Sequence, residues 1–201
     1  MPTQVQRTAA ARRRLIAATR ELVAAQGVGN TSVAAIGERA GMSRGAVNFH
    51  FGSKDDLLVA VSREATNDWA EGVAGSGELQ FDDTGALIDT LLQAWLGELH
   101  SDPERVRIVV MLMFEALGPS PHLHEHFVTL GNQIQTQVGE YIRTQQAAGK
   151  LESDVTPDGF ATLFVGVLTG IAVIHLLDPD TERLDQAIAE ARTTLRGRLG
   201  V

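Results

Sequence analysis

The chain has 201 residues, 44% of them apolar, which is enough to bury the core of one large domain or two small ones and places it among globular rather than disordered proteins. It contains no cysteine, which excludes disulfides, thiolate metal sites and cysteine nucleophiles; with an N-terminus (MPTQVQRTAAARRRL) that lacks an apolar export segment, this makes the cytoplasm the expected location. The net charge of −8 argues against nucleic acid only as an average, because residues 1–63 hold nine Lys/Arg against four Asp/Glu while residues 64–201 hold eight against twenty-one.

Helical spacing recurs along the whole chain and nothing alternates with period two, so the expected fold class is all-α, with about nine helices. In the first, Leu15, Thr19, Leu22, Val23 and Gln26 follow helical spacing after Arg12, Arg13 and Arg14, and Gly27 is placed to end it. The arginine run reads equally as an arm reaching DNA or as a soluble helix start. Thr31 or Ser32 can cap a short second helix whose Val33, Ile36 and Ala40 face inward, and Gly41 breaks it. Ser43 can cap a third, with Ala46, Val47, Phe49 and Phe51 at apolar positions and Arg44, Gly45, Asn48 and His50 on other faces. Ser53 starts a fourth, with Asp56 at its third position as a short-armed capping partner and Asp55 near the positive end of the helix.

Two short helices joined by Ala40-Gly41-Met42-Ser43 have the dimensions of a helix-turn-helix, in which the first braces across phosphates and the second enters the major groove. Arg44 can pair with guanine O6 and N7, Asn48 with adenine N6 and N7, and Gly45 lets the backbone approach closely. Thr31, Ser32, His50 and Lys54 are placed to hold phosphates.

The wording from Thr31 to Leu58, TSVAAIGERAGMSRGAVNFHFGSKDDLL, closely resembles the DNA-binding signature of the TetR family of transcriptional regulators. The resemblance implies a homodimer whose N-terminal domains, residues 1–54, occupy successive major grooves of a palindromic double-stranded DNA operator. Residues 55–201 would then form a helical effector-binding and dimerisation domain. It places Ser43, Arg44, Gly45 and Ala46 where the family's recognition helix meets bases, and Thr31, Asn48, Phe49, His50 and Lys54 at backbone-contacting positions. Asn48 stands where the family usually has a tyrosine that bonds a phosphate, so it either reads a base or makes a shorter phosphate contact. Gly37 replaces the usual alanine; a mid-helix glycine costs about 1 kcal/mol relative to alanine, which implies either tight packing between the second and third helices or a looser head.

Further along, Gly72 to Gly85 is linker-like, and Asp83 opens a helix containing Leu87, Leu91, Leu92 and Trp95. Asp102-Pro103-Glu104 opens one containing Val106, Val109, Val110 and Met113, a long helix runs from about Pro121 to Ala148, and Thr156-Pro157-Asp158 and Asp178-Pro179-Asp180 open the last two. Residues 160–177, FATLFVGVLTGIAVIHLL, reach the lower edge of a bilayer span. Their aspartate flanks, His175 and the lack of nearby Lys or Arg favour burial inside protein, and no membrane partner is expected. Phe164, Val167, Leu168, Ile171 and His175, with Leu184, Ile188, Ala191 and Leu195, are expected to form half of a four-helix bundle across a two-fold axis, Gly166 and Gly170 allowing close approach; the alternative is an intrachain core helix.

Trp69, Trp95, Met111, Met113, Phe114, Phe127 and Ile134 are large or pliable side chains that could line a cavity for a small apolar effector or simply fill the core. His122, His124 and His126, with Glu125, are the one segment with metal-ligand chemistry, but they lack the HExxH order and a second ligand pair, so a solvated helix entrance is preferred and neither metal nor cofactor is expected. No nucleophile triad, phosphate loop or paired carboxylate suggests an enzyme. The expected function is therefore a DNA-binding regulator, a repressor released from its operator by a small hydrophobic effector. The competing reading, an effector-independent architectural DNA-binding protein, gives the long acidic body little to do.

Overall fold

The computed structural model describes residues 3–74, 83–151 and 154–201, and the side chains of all of these except 67–74. The Trp69 side chain and most of the linker-like Gly72 to Gly85 stretch lie outside the described residues. Among the described residues every regular element is a helix: α1 (Gln4–Gln26), α2 (Val33–Arg39), α3 (Ala46–Phe51), α4 (Lys54–Ala74), α5 (Thr84–Leu96), α6 (Glu98–Ser101), α7 (Pro103–Glu115), α8 (Pro121–Ala147), α9 (Pro157–Leu177) and α10 (Thr181–Leu199).

The short α6 is the one addition to the nine helices read from the sequence. It ends where it must, because Asp102 precedes Pro103 and is held out of the helical region at φ −146°, ψ 67°. Asp102 then accepts the Arg105 amide at 3.0 Å and starts α7. Asp83 and Asp180 cap α5 and α10 through the same kind of bond.

At the other end, α1 begins well before Leu15. Thr3 Oγ1 accepts the Gln6 amide at 3.2 Å and Gln6 Oε1 accepts the Thr3 amide at 2.8 Å, a reciprocal cap that starts the helix at Gln4. Arg12, Arg13 and Arg14 therefore lie inside a 23-residue helix, and are neither an arm nor a helix start.

The chain forms two compact units, one from the segments up to Thr66 and from Arg107 to Phe127, the other from Asn67 to Val106 and from Val128 onward. In the first, α1, α2 and α3 pack on one another around Leu15, Ile36, Val47, Leu57, Leu112 and Leu123, all fully buried. In the second, α5, α9 and α10 pack together, with Leu87, Ile88, Leu92 and Leu96 of α5 buried alongside Phe164 and Leu195. Asp89 of α5 ties this layer to α10 through Arg192 at 3.0 Å and Arg196 at 3.2 Å.

The residues expected at a dimer interface divide. Phe164, Leu168, Leu184, Ala191 and Leu195 are buried within the single chain and are core residues, so their side chains are not free to meet a second copy. Val167, Ile171, His175 and Ile188 are half-buried. The open side of α9 runs instead through Leu163, Ile174 and Leu177, which are exposed, past Gly166 and Gly170, where an added Cβ would meet nothing within 4 Å. The helix is 21 residues long and apolar enough to cross a membrane by length and composition, and 28% of its most apolar window is buried within the chain.

Candidate nucleic-acid interface

Ser32 starts α2 by accepting the Ala35 amide at 3.1 Å, and the helix ends at Arg39. Gly41 then takes a left-handed φ of +62°, a conformation that strains any residue with a Cβ, and the Met42 amide closes the turn on the Gly37 carbonyl at 2.8 Å. Gly37 is buried, and a Cβ built on it would lie 2.9 Å from the Ser43 carbonyl oxygen. Of the two explanations for this glycine, close packing of α2 against the segment leading into α3 is the one the structure contains.

That segment is a turn rather than the first turn of a helix. The Ala46 amide donates to the Ser43 carbonyl at 2.9 Å, α3 starts at Ala46, and no side chain caps it. Ser43 is therefore not the helix cap expected of it. This start sets the rotation of α3. Ala46 (6% exposed) and Val47 (0%) enter the core, while Ser43, Arg44, Gly45 and Asn48 are exposed and Phe49 is 81% exposed. Two assignments change: Ala46 is a core residue and is not available to a base, and Phe49 points outward instead of filling an inward apolar position. Phe51 remains half-buried against the core.

The expected phosphate contacts separate in the same way. Thr31 is fully buried and its hydroxyl donates to the Gly27 carbonyl at 2.7 Å, so it braces the loop before α2 and does not reach a phosphate. Ser32 is exposed, and His50 and Lys54 are half-buried. The Lys54 ammonium donates to the Val28 carbonyl at 2.8 Å, which anchors the start of α4 to the end of the α1 loop. Ser53 Oγ accepts the Asp56 amide at 3.0 Å and donates its own hydroxyl to Asp56 Oδ2 at 2.6 Å, so the short aspartate arm meets the hydroxyl and not the backbone amide of a standard box.

Arg12 and Arg14 have a role that neither reading of the arginine run contains. Arg12 donates to the His50 carbonyl at the end of α3 and lies over the Phe51 ring; Arg14 donates to the Ala40 carbonyl at the end of α2. Together they clamp both helices of the motif to α1.

The three histidines beyond α7 each have a separate partner in the first unit. His122 donates from its ring to Asp56 at 2.8 Å and from its amide to Asp55 at 2.9 Å, His124 donates to the Ala116 carbonyl at 3.1 Å, and His126 bonds with the Ser62 hydroxyl at 2.9 Å. Among the described residues no three His, Asp or Glu side chains gather as metal ligands. The hydrogen bond to Asp56, and then its charge, raises the His122 pKa, while the Ser53 hydroxyl, followed by His122, lowers that of Asp56. Burial lowers the pKa of His126, and Arg63 adds to this.

The candidate effector-lining residues lie in different units. Met111 and Phe127 are partly buried against the core of the first, where Phe114 is 52% exposed; Trp95 and Ile134 are half-buried in the second. A groove of about 450 Å³ in the first unit, lined by Arg14, Ala17, Ala18, Glu21, Arg39, Ala40 and Gly41, is spanned by the Arg39–Glu21 ion pair and has the wrong chemistry for an apolar ligand.

Comparison with known proteins bears on both units. The family profile described as "Bacterial regulatory proteins, tetR family" matches residues 15–61, which contain the whole α2-turn-α3 element. The HTH-type transcriptional repressor AcnR of Corynebacterium jeikeium is 28% identical over 187 residues, covering 90% of each chain. Among solved structures, Salmonella enterica GusR superimposes with a TM-score of 0.76 at 24% identity over 99% of this chain and 98% of its own. SmeT, the repressor of a multidrug efflux pump of Stenotrophomonas maltophilia, superimposes in its triclosan complex with a TM-score of 0.73 at 21% identity over 94% and 91%.

Proposed function

This chain belongs to the TetR family of bacterial regulatory proteins, and from that premise we propose that, as a cytoplasmic homodimer, it represses transcription at a palindromic operator and is released by a small hydrophobic effector. It is a DNA-binding regulator and not an enzyme. The observation that carries the reading is the group Ser43, Arg44, Gly45, Asn48 and Phe49, exposed together on a turn and helix whose other face is buried.

In this reading residues 1–54 are the DNA-binding domain. Arg44 reads guanine, Gly45 admits the backbone to the groove, and Ser43 and Asn48 contact bases or the adjacent phosphate. Ser32, His50 and Lys54 hold the phosphates, and the excess of Lys and Arg in residues 1–63 supplies long-range attraction that the acidic remainder lacks. Residues 55–201 pair the two heads through the open face of α9, with half-buried Val167, Ile171, His175 and Ile188 at its border. The effector is assigned to the second unit, where Trp95 and Ile134 are large side chains left half-buried. The triclosan complex of SmeT supports an apolar aromatic ligand as the class to try first.

Selection by the full-length protein from a randomised duplex library tests the central claim. Enrichment of an inverted repeat, with half-sites about one helical turn apart, is the expected result. Failure to enrich any sequence at physiological salt overturns the reading.

A further inference from the structure

Phe49 is an anomaly on the surface of the first unit. Its ring is 81% exposed on α3, the helix whose inward positions Ala46 and Val47 are already buried. Its neighbours on the outward face are Gly45, where a Cβ would meet nothing within 4 Å, and the short amide of Asn48. Phe49 is therefore the bulkiest group projecting from that side of α3. The ring is also oriented, resting edge-on against the His50 imidazole with centroids 4.9 Å apart and planes at 87°. A phenyl ring has no donor for a phosphate oxygen, so at this position, where the family resemblance implies a backbone contact, Phe49 makes no hydrogen bond to phosphate through its side chain.

The major groove offers one apolar feature on its floor, the 5-methyl group of thymine. We propose that Phe49 is a base-reading residue that packs its ring on thymine methyls and so selects thymine over cytosine at its position in each half-site. The inference rests on the DNA-binding reading above and adds a specificity determinant to it. Bare Gly45 lets α3 approach closely enough for the ring to reach the groove floor, while Arg44, on the preceding turn, reads a neighbouring step. The apolar contact is blind to hydrogen-bond donors and acceptors, so it has a signature that neither Arg44 nor Asn48 can produce. It responds to loss of a methyl group alone.

The experiment replaces each thymine of the tightest library-selected duplex, one at a time, with deoxyuridine, which removes only that methyl. Affinities for full-length protein are read by fluorescence anisotropy. One or two positions per half-site should weaken wild-type binding by about four-fold per methyl, the transfer free energy of one buried carbon. In Phe49→Ala the same replacements should change affinity by less than two-fold, with helical content unchanged. Should Phe49→Ala bind the selected duplex too weakly to scan, Phe49→Leu, which keeps a shorter apolar group, carries the comparison and should show a reduced methyl effect. Wild-type binding insensitive to every deoxyuridine, or a variant as sensitive as wild type at the same positions, overturns the assignment while leaving DNA binding intact. A library that yields no enriched duplex overturns the DNA-binding reading and this inference together.

Discussion

The Arg12 guanidinium lies 4.0 Å from the centroid of the Phe51 ring while it donates to the His50 carbonyl, so α1 holds the end of α3 by charge, ring and backbone at once. A cation over an aromatic ring contributes about 0.5–1 kcal/mol at exposed sites and up to about 2 kcal/mol when desolvated, and Phe51 is half-buried. A hydrogen bond from a charged donor contributes about 1.5–3 kcal/mol. Arg12→Ala is expected to lower the unfolding free energy by about 1–3 kcal/mol in urea denaturation, and Arg12→Lys to recover less than half of that, because a point charge does not reproduce the planar contact. An arginine acting only on DNA would instead leave stability unchanged in both variants.

Gly37→Ala tests the packing of α2. Helix propensity alone predicts a gain of about 1 kcal/mol. The added Cβ would sit 2.9 Å from the Ser43 carbonyl oxygen, a backbone atom that cannot rotate away. Net destabilisation of about 1–3 kcal/mol is expected, as for other overpacked sites, with weaker operator binding because the displaced turn carries Arg44. A rise in thermal midpoint would show that the turn yields freely.

The helix-turn-helix was legible because its information is local: Gly41 at the turn, Ser32 at the cap, Ile36 and Val47 at inward spacing. The rotation of α3 was not. It depends on whether the helix begins at Ser43 or at Ala46, and the deciding bond, from the Ala46 amide to the Ser43 carbonyl, is between backbone atoms that composition does not mark. Phe49 carries two expectations in the sequence, an apolar helix position and a DNA-facing one, and its 81% exposure agrees only with the second. In α9 the difficulty is the opposite one. From Phe160 to Leu177 no residue is charged and apolar side chains fall on every side, so periodicity marks no single inward face; of the two readings open for this helix, partner interface or intrachain core, Phe164 and Leu168 belong to the second. The glycines were the better guide, since Gly166 and Gly170 lie on the side that is open. The partners of His122 and His126 are more than sixty positions away, beyond the reach of any local pattern.

Arg44→Ala should separate reading from attraction. Losing a bidentate contact to guanine costs about 1–3 kcal/mol on the cognate base, or roughly five- to 150-fold. Binding to an unselected duplex should fall only by the few-fold expected of one charge, with a small decrease in salt dependence. Equal losses on the selected and unselected duplexes would show that Arg44 contacts only phosphate.

Two histidines give opposite pH dependences. Raised in the folded state, His122 contributes stability that is full below its ordinary value of 6.5 and is lost as pH rises through the folded value. His126 is lowered, so its contribution is full above 6.5 and is lost as pH falls through the folded value. Asp56, also lowered, acts further down, below its ordinary 3.8. Between about pH 5 and 8 the two imidazoles therefore oppose each other. His122→Gln should remove the alkaline loss and His126→Gln the acid loss, each seen as a flattened limb of thermal midpoint against pH. Parallel curves for wild type and both variants would mean that neither imidazole is linked to folding.

The open face of α9 yields the last prediction. Leu163, Ile174 and Leu177 are 50%, 61% and 81% exposed, and with the bare positions Gly166 and Gly170 they form a stripe along one side of the helix. If a second copy covers it, Ile174→Glu places a carboxylate at the joint, where burying an unpaired charge is strongly unfavourable. Sedimentation should then show a folded monomer, because the side chain is mostly exposed within its own chain. Phe164→Ala provides the contrast: it removes a fully packed intrachain side chain and should cost about 3–5 kcal/mol of stability whatever the oligomeric state. Operator affinity should fall in Ile174→Glu with its fold intact, since one head can then occupy only one half-site at a time. A dimer of undiminished strength in Ile174→Glu would move the interface away from this face.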